Sequence, residues 1–432
     1  LQGHAADPDI PRESIPDVSP HFQDSYGDPL LFRRDLPLPM TGDSPACMKG
    51  DDAAICSLLK HSQVPGCAVA IAQHGKLLFA RGYGWADIKS NQPVMPNSFF
   101  RIASISKSLT AVATLKLCEE QRLTQDTKAF TILHYPPVPD ERPDMRLNKI
   151  TIRDLLQCSA GWNRDQSGDA MFCPDAPRAA ELMSATLRPT AESAIRCALS
   201  RPLDFEPGTH HSYSNLCYAI LGQIIAKIAG VSYEEYVRDS ILNPMGIKGM
   251  RLGKTLVAAD GEVTYYPFPG EENSRSMFPN YLAEVPLSYG GDFALEANQS
   301  DAGWIASAPE LAKFACTLFG DKNGSPISAG SISEMLKRPD LPEWRAGQPF
   351  FAEGWEVYPN SDPQKVIFCR RGNLPGSEAC VSRRADGTTV AWVANSRPED
   401  AEEFVHEMLK RTWKAADNLK VDRPKDLFEI FD

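Results

Sequence analysis

The sequence predicts an α/β (α+β) protein in which an antiparallel sheet flanked by helices is interrupted by a mostly helical insertion. Three observations carry this expectation. A helix followed by a β-hairpin begins the folded part of the chain, three short β runs and a closing helix end it, and the residues between them switch to helical patterning. The 432 residues allow two or three folding units at roughly 150 residues each.

Residues 45–63 read as the first helix, with Ile55, Leu58 and Leu59 on one face and Val64-Pro-Gly66 as its stop. The apolar runs 68–71 and 77–80 flank His74-Gly75 and read as a hairpin that continues into Gly82-Tyr-Gly84. Residues 104–118 are small and apolar with Lys107 and Lys116 as the charged exceptions, the pattern of a helix buried on nearly all sides. Prolines at 136, 137, 139 and 143 open a different region, with helical patterns at 152–157, 191–200 and 216–228. Residues 251–298 are rich in Gly, Pro, Tyr and Phe without periodicity and read as long loops over a site. The β runs 366–370, 379–383 and 389–394 are separated by Leu374-Pro-Gly376 and Asp386-Gly387. A helix over 399–413 then carries Phe404, Val405, Met408, Leu409 and Trp413 at helical spacing. The expected partition is a Pro-rich extension at 1–45, a discontinuous sheet domain at 46–123 and 300–415, a helical insertion with long loops at 124–299, and a tail at 416–432.

Composition narrows the function. Hydrophobic residues at 42% and charged residues at 23% are ordinary for a globular protein. Acidic residues outnumber basic ones 56 to 45, so no positive field favours nucleic acid. No apolar run reaches the ~18–20 residues of a membrane span. The chain starts at Leu1, and its first 50 residues hold eight prolines, which reads as a processed extracytoplasmic extension; a secreted or periplasmic location is expected, with the cytoplasm left open. Eleven cysteines without a Cys-x-x-Cys pair fit neither a disulfide framework nor a zinc ribbon. Cys369 and Cys380 flank a turn and are placed to meet across strands or to pack as buried thiols. Eight histidines without His-x-x-x-His suggest no metal site, no cofactor is expected, and Gly-x-Ser-x-Gly is absent. The state of association is not legible.

Ser104-Ile-Ser-Lys107 opens the buried helix. A serine there meets the positive helix end and its free N–H groups. Lys107 lies on the same face one turn on, and an amine in apolar surroundings is poorly solvated as an ammonium, so it can accept the serine proton. The spacing alone decides little, because Ser57-Leu-Leu-Lys60 repeats it inside an amphipathic helix. The bland alternative for Ser104 is an N-cap beside a snorkelling Lys107. Tyr213-Ser-Asn215 precedes another apolar helix and puts a phenol and an amide at its start; a phenolate beside an ammonium can relay a proton from serine to leaving group. A loop-packing tyrosine is the alternative, and Tyr358-Pro-Asn360 shows how common the tripeptide is. At Arg370-Arg-Gly-Asn373, Gly372 permits close backbone approach, and the Asn373 N–H can join that of Ser104 in holding an oxyanion.

Together with Gly82-Tyr-Gly-Trp-Ala-Asp87, Thr151-Ile-Arg-Asp-Leu-Leu156, Glu206-Pro-Gly-Thr209 and Ala302-Gly-Trp-Ile-Ala-Ser307, these segments resemble, over about residues 62–395, the serine β-lactamase-like superfamily: class C β-lactamases, penicillin-binding D-alanyl-D-alanine carboxypeptidases and related carboxylesterases. The resemblance implies a β-lactamase/transpeptidase-like fold and an acyl-enzyme mechanism on a small ester, amide or peptide, with Ser104 as nucleophile, Lys107 as its activator and Tyr213 in proton relay. It makes Asn215, Arg370, Gly372 and Asn373 substrate-binding. Two positions depart from the pattern. Arg370 stands where Lys or His is usual, followed by bulky Arg371; arginine can fork onto a carboxylate but does not exchange protons near neutral pH. Such a change fits an acidic substrate, an altered hydrolytic step or a degenerate site. Cys158 stands where relatives often carry His and is read as structural. The competing expectation is a catalytically silent module that binds peptidoglycan fragments or assembles with partners.

Overall fold

The apolar run Cys67-Ala-Val-Ala-Ile-Ala72 lacks the polar alternation of a half-exposed strand because the strand containing it is covered on both faces. The computed structural model describes residues 36–135, 143–172, 190–278, 284–291, 293–419 and 425–431. Its main sheet is antiparallel with nine strands. Eight form one path: β1 (Met40–Thr41), β2 (Gly66–Gln73), β3 (Lys76–Asp87), β4 (Phe350–Phe351), β5 (Glu356–Tyr358), β6 (Ile367–Leu374), β7 (Ser377–Arg384) and β8 (Thr388–Ala394). Their spatial order is β1-β3-β2-β8-β7-β6-β5-β4, and Gln92–Pro93 pairs with β3. The β2–β3 turn uses His74 at φ 49° and Gly75 at φ 73°.

Period-two alternation sorts the side chains. Val69, Ile71 and Trp392 meet Ile55 and Leu59 of α1 (Lys49–His61) and Phe404 and Met408 of α5 (Ala401–Asn418). Ala68, Ala70, Ala72 and Ala391 face the other way, and these small side chains let α4 (Ala308–Leu318) lie close against the sheet, with α2 (Ser106–Glu119) in the same core. Helix α2 is buried along nearly its whole length. Thr114 donates back to Thr110 O within the helix, while Thr110 reaches out to Ser300 O at 2.6 Å and lies 2.7 Å from Tyr233 OH. Helix α3 (Asn215–Ala229) packs beside α2, with the helices Ile152–Leu156 and Ala191–Leu199 against it.

Several elements extend beyond the sequence reading. Met40–Thr41, within the expected extension, pairs with Tyr83 and Gly82; residues 1–35 lie outside the described residues, as do prolines 136, 137 and 139. The tail expected from 416 includes the end of α5, and Leu427 and Asp426 bond the backbone of Leu77. Residues 251–298 are more than loops. Arg251–Leu252 joins a three-stranded sheet with Trp304–Ala306 and Phe100–Arg101, and Ser274–Arg275 pairs with Glu284–Val285. Arg101 holds this region down: its buried guanidinium donates to Ser288 O, Lys254 O and Thr255 O and lies 4.2 Å from the Tyr265 ring centroid.

Candidate active site

Ser104 is not an N-cap. It sits in a single 3₁₀ turn, Ala103–Ile105, that runs directly into α2. The turn begins with Ala103 in the left-handed region at φ 46°, a conformation that costs a non-glycine residue roughly 1–2 kcal/mol and that a tightly packed site can hold. Lys107, one turn later, is fully buried and does not snorkel. Its Nζ donates to Ser104 Oγ (3.2 Å), Asn215 Oδ1 (2.6 Å) and the backbone carbonyl of Asp301 (2.8 Å). The amine is thus held on the serine by two other elements.

Tyr213 lies just before α3, where the Ser214 side chain caps the helix by accepting from Cys217 N. Its hydroxyl donates to Ser104 Oγ at 2.8 Å. Burial opposes ionisation of this phenol, but the nearby cations Arg370 and then Lys107, with the Ser104 hydrogen bond, outweigh it and hold the phenol below its usual range. Asn215, the first residue of α3, is oriented from both ends, since its amide nitrogen donates to Asp169 Oδ2 at 2.7 Å. Cys158 is buried behind this segment; its carbonyl accepts from Ser212 N (2.9 Å) and its thiol contacts Ser214 O (3.8 Å), so it shapes the approach to Tyr213.

The strand β6 closes the site. Gly372 is required by contact: a Cβ there would lie 2.1 Å from Ile102 O and 3.0 Å from Ser104 N. The two-residue turn between Leu374 and Ser377 makes them a hydrogen-bonded pair, so alternation turns the backbone of Asn373 away from β7, and β5 registers with β6 only as far as Cys369. Asn373 therefore presents its N–H along an open strand edge, in the cleft that Ser104 also lines. The backbone bonds of the Ser104 turn begin with Ile105 N to Ile102 O, which leaves the Ser104 N–H at the uncommitted start.

Arg370 and Arg371 point to opposite faces, as neighbours on a strand must. Arg370 is 2% exposed and is committed inward: Nη2 donates to Tyr213 OH (2.6 Å), Nε to Ser104 O (2.9 Å), and Nη1 lies 3.6 Å from Glu356. Its guanidinium serves the phenol and the serine turn rather than reaching into open space as a carboxylate anchor. Arg371 pairs with Glu402 of α5 at 2.8 Å, so its bulk does not crowd Ser104. On that same face Cys369 and Cys380 meet as buried thiols, sulfurs 3.7 Å apart.

All seven sequence-selected residues thus gather at one place, Ser104, Lys107, Tyr213, Asn215 and Arg370 by direct hydrogen bonds and Gly372 and Asn373 along the adjoining strand. Four contributors were not selected. Asp169 and Arg164 come from the helical region and line the cleft, with Arg164 4.9 Å from the Tyr213 ring centroid; nothing in their local sequence marks them. Glu356 sits behind Arg370, and Asp301 immediately precedes the recognised Ala302-Gly-Trp-Ile segment. The cleft encloses about 550 Å³.

The chain is similar to several known proteins. Among curated proteins, the Staphylococcus aureus (strain MW2) "Protein flp" is 25% identical over 232 residues, 54% of this chain and 43% of that protein. The "Probable fimbrial assembly protein FimD, serogroup H1" of Dichelobacter nodosus is 32% identical over 204 residues, 47% of this chain and 48% of that one. The matches thus span about half the length of these relatives. Among solved structures, the octameric penicillin-binding protein homologue from Pyrococcus abyssi superposes with a TM-score of 0.64 at 23% identity, covering 83% of this chain and 76% of that one. EstCE1, a hydrolase with promiscuous acyltransferase activity, gives 0.64 at 19% identity over 85% and 98%. The D-amino acid amidase of Ochrobactrum anthropi SV3 gives 0.62 at 20% over 85% and 99%. These likenesses establish a shared fold. A model of the Beta-lactamase family matches residues 52–411, most of the chain and every residue of the site, and the protein belongs to that family.

Proposed function

We propose that the protein is a serine hydrolase that cleaves a carboxylic ester or amide through an acyl-enzyme on Ser104. One observation carries the reading: Ser104 Oγ receives hydrogen bonds from both Lys107 Nζ and Tyr213 OH, while Arg370 grips the same phenol. In the active form the phenol is ionised between two cations and takes the Ser104 proton as Oγ bonds to the acyl carbon. The carbonyl oxygen gains negative charge and lies between the N–H groups of Ser104 and Asn373. Collapse breaks the bond to the leaving oxygen or nitrogen, which takes the proton back from Tyr213. Water then repeats the sequence on the acyl-serine, releasing the acid.

The cleft wall is mixed in charge, with Arg164, Asp165, Asp169, Arg397 and Glu402 beside Phe172, Leu374 and Pro375. This supports small polar acyl groups over long aliphatic ones. Incubation with a fluorophosphonate, then peptide mass spectrometry, tests the reading: a single adduct on Ser104 is expected, lost in Ser104→Ala and Lys107→Ala. A folded protein left unmodified by both fluorophosphonate and penicillin would support the silent binding module instead. Turnover of short p-nitrophenyl esters, D-alanyl anilides and nitrocefin then ranks the substrate classes.

A further inference from the structure

Asp301 is an acid placed where hydrolysis through Ser104, Lys107 and Tyr213 has no evident use for one. It is fully buried, and neither carboxyl oxygen meets a hydrogen-bond partner from any other described residue. Such a group needs an explanation, because desolvation without compensation is costly. Yet its own backbone carbonyl is one of the three acceptors that hold Lys107 Nζ. Nor can the residue swing out. Ser300 O accepts from Thr110 of α2, Ser300 Oγ donates to Tyr218 O of α3, and Trp304 N donates to Ser106 Oγ.

We propose that Asp301 is a positioning residue of the catalytic centre: its protonated carboxyl leaves the Lys107 cation free to stabilise the Tyr213 phenolate, and its ionisation draws that cation away and sets the alkaline limit of activity. This rests on the hydrolase reading above. Two anions, a carboxylate at 301 and a phenolate at 213, compete for one lysine. The other charges around them do not remove the competition. Asp169, bonded to Asn215, faces Asp301 as a like charge. Around Lys107 lie the Tyr213 and Tyr218 rings and Cys158. Around Tyr213 lie Arg370, already paired toward Glu356, and Arg164 over the ring. Burial, only partly offset by Lys107 and reinforced by Asp169, pushes the Asp301 carboxyl up to about 8, so the neutral acid is the resting form near neutral pH.

The test is the rate of fluorophosphonate labelling of Ser104 from pH 5.5 to 10, which reads serine activation without deacylation. It is measured in the full chain, in Asp301→Asn and in the smaller neutral Asp301→Ser, each checked for folding by circular dichroism. The wild type should lose rate on the alkaline side. Either folded variant should keep it, so that at pH 9.5, relative to each protein's own rate at pH 7, the variant labels roughly 30-fold faster. Superimposable scaled profiles would overturn the proposal. No labelling of the wild type at any pH would overturn the hydrolase reading, and this inference with it.

Discussion

Two stretches of this chain carry Ser-x-x-Lys, and the fold makes a buried hydrogen-bonded pair of one and an ordinary helix surface of the other. In α1, Ser57 is exposed at mid-helix and Lys60 lies in the last turn, where a cation complements the helix dipole. In the Ser104 turn, the serine precedes the regular helix, its lysine is fully buried, and three acceptors from three segments converge on the ammonium. The spacing supplies proximity in both places. What differs is the entry: a 3₁₀ turn with a left-handed Ala103 aims Ser104 outward, and a strand and a second helix meet it there.

The widest separation between the two stretches should come from deleting each hydroxyl. Ser104→Ala is expected to reduce ester turnover by on the order of 10⁴-fold or more, as loss of a nucleophile does in other triads. Ser57→Ala should leave kcat and KM unchanged. Loss of activity in a folded Ser57→Ala, with Ser104→Ala still active, would reverse the assignment.

The second and third effects probe what surrounds Ser104. Gly372→Ala would drive a methyl into Ile102 O and the Ser104 amide, so the turn must shift and the oxyanion donors with it; a loss of roughly 10²- to 10³-fold in kcat is expected, with circular dichroism unchanged. Arg370→Gln removes the strongest attraction on the Tyr213 phenolate. The phenol then ionises at higher pH, so kcat/KM at pH 7 should fall roughly 10²-fold and recover as the pH is raised. Arg370→Lys keeps charge but cannot serve both Tyr213 OH and Ser104 O, and should fall between. A pH profile of Arg370→Gln parallel to the wild type would mean that the arginine acts only on the turn.

How much of this was legible in the sequence depended on how locally each feature is determined. The hairpin at His74-Gly75, the buried helix after Ser104 and the three β runs follow from short-range pattern, and each lies within a few residues of its expected place. The motif residues that gather around Ser104 could be selected for the same reason, since each lies in a short ordered segment. Arg101 could not be read this way, because its function as a clamp depends on carbonyls some 150 to 190 positions away. Without it, residues 251–298 read as loose loops. Arg370 was found but its use was not: alternation on β6 and the approach of Tyr213 decide that the guanidinium turns inward, and both are tertiary facts. Asp301 was next to a recognised segment, yet an aspartate in sequence does not announce that it is buried.

The smallest expected effect sharpens the same comparison by placing one methyl group in each region. Gly50, in the first turn of α1, has an ordinary backbone conformation, and a Cβ there meets nothing within 4 Å. Gly50→Ala should therefore lower the entropy of the unfolded chain and favour the helix, raising stability by up to about 0.5–1 kcal/mol. A higher urea midpoint with an unchanged slope and unchanged turnover is the expected result. The same substitution at Gly372 meets backbone atoms on contact and should cost activity instead. If Gly50→Ala also impaired turnover, α1 would be coupled to the site through the sheet, and the contrast between the two Ser-x-x-Lys stretches would no longer rest on local geometry alone.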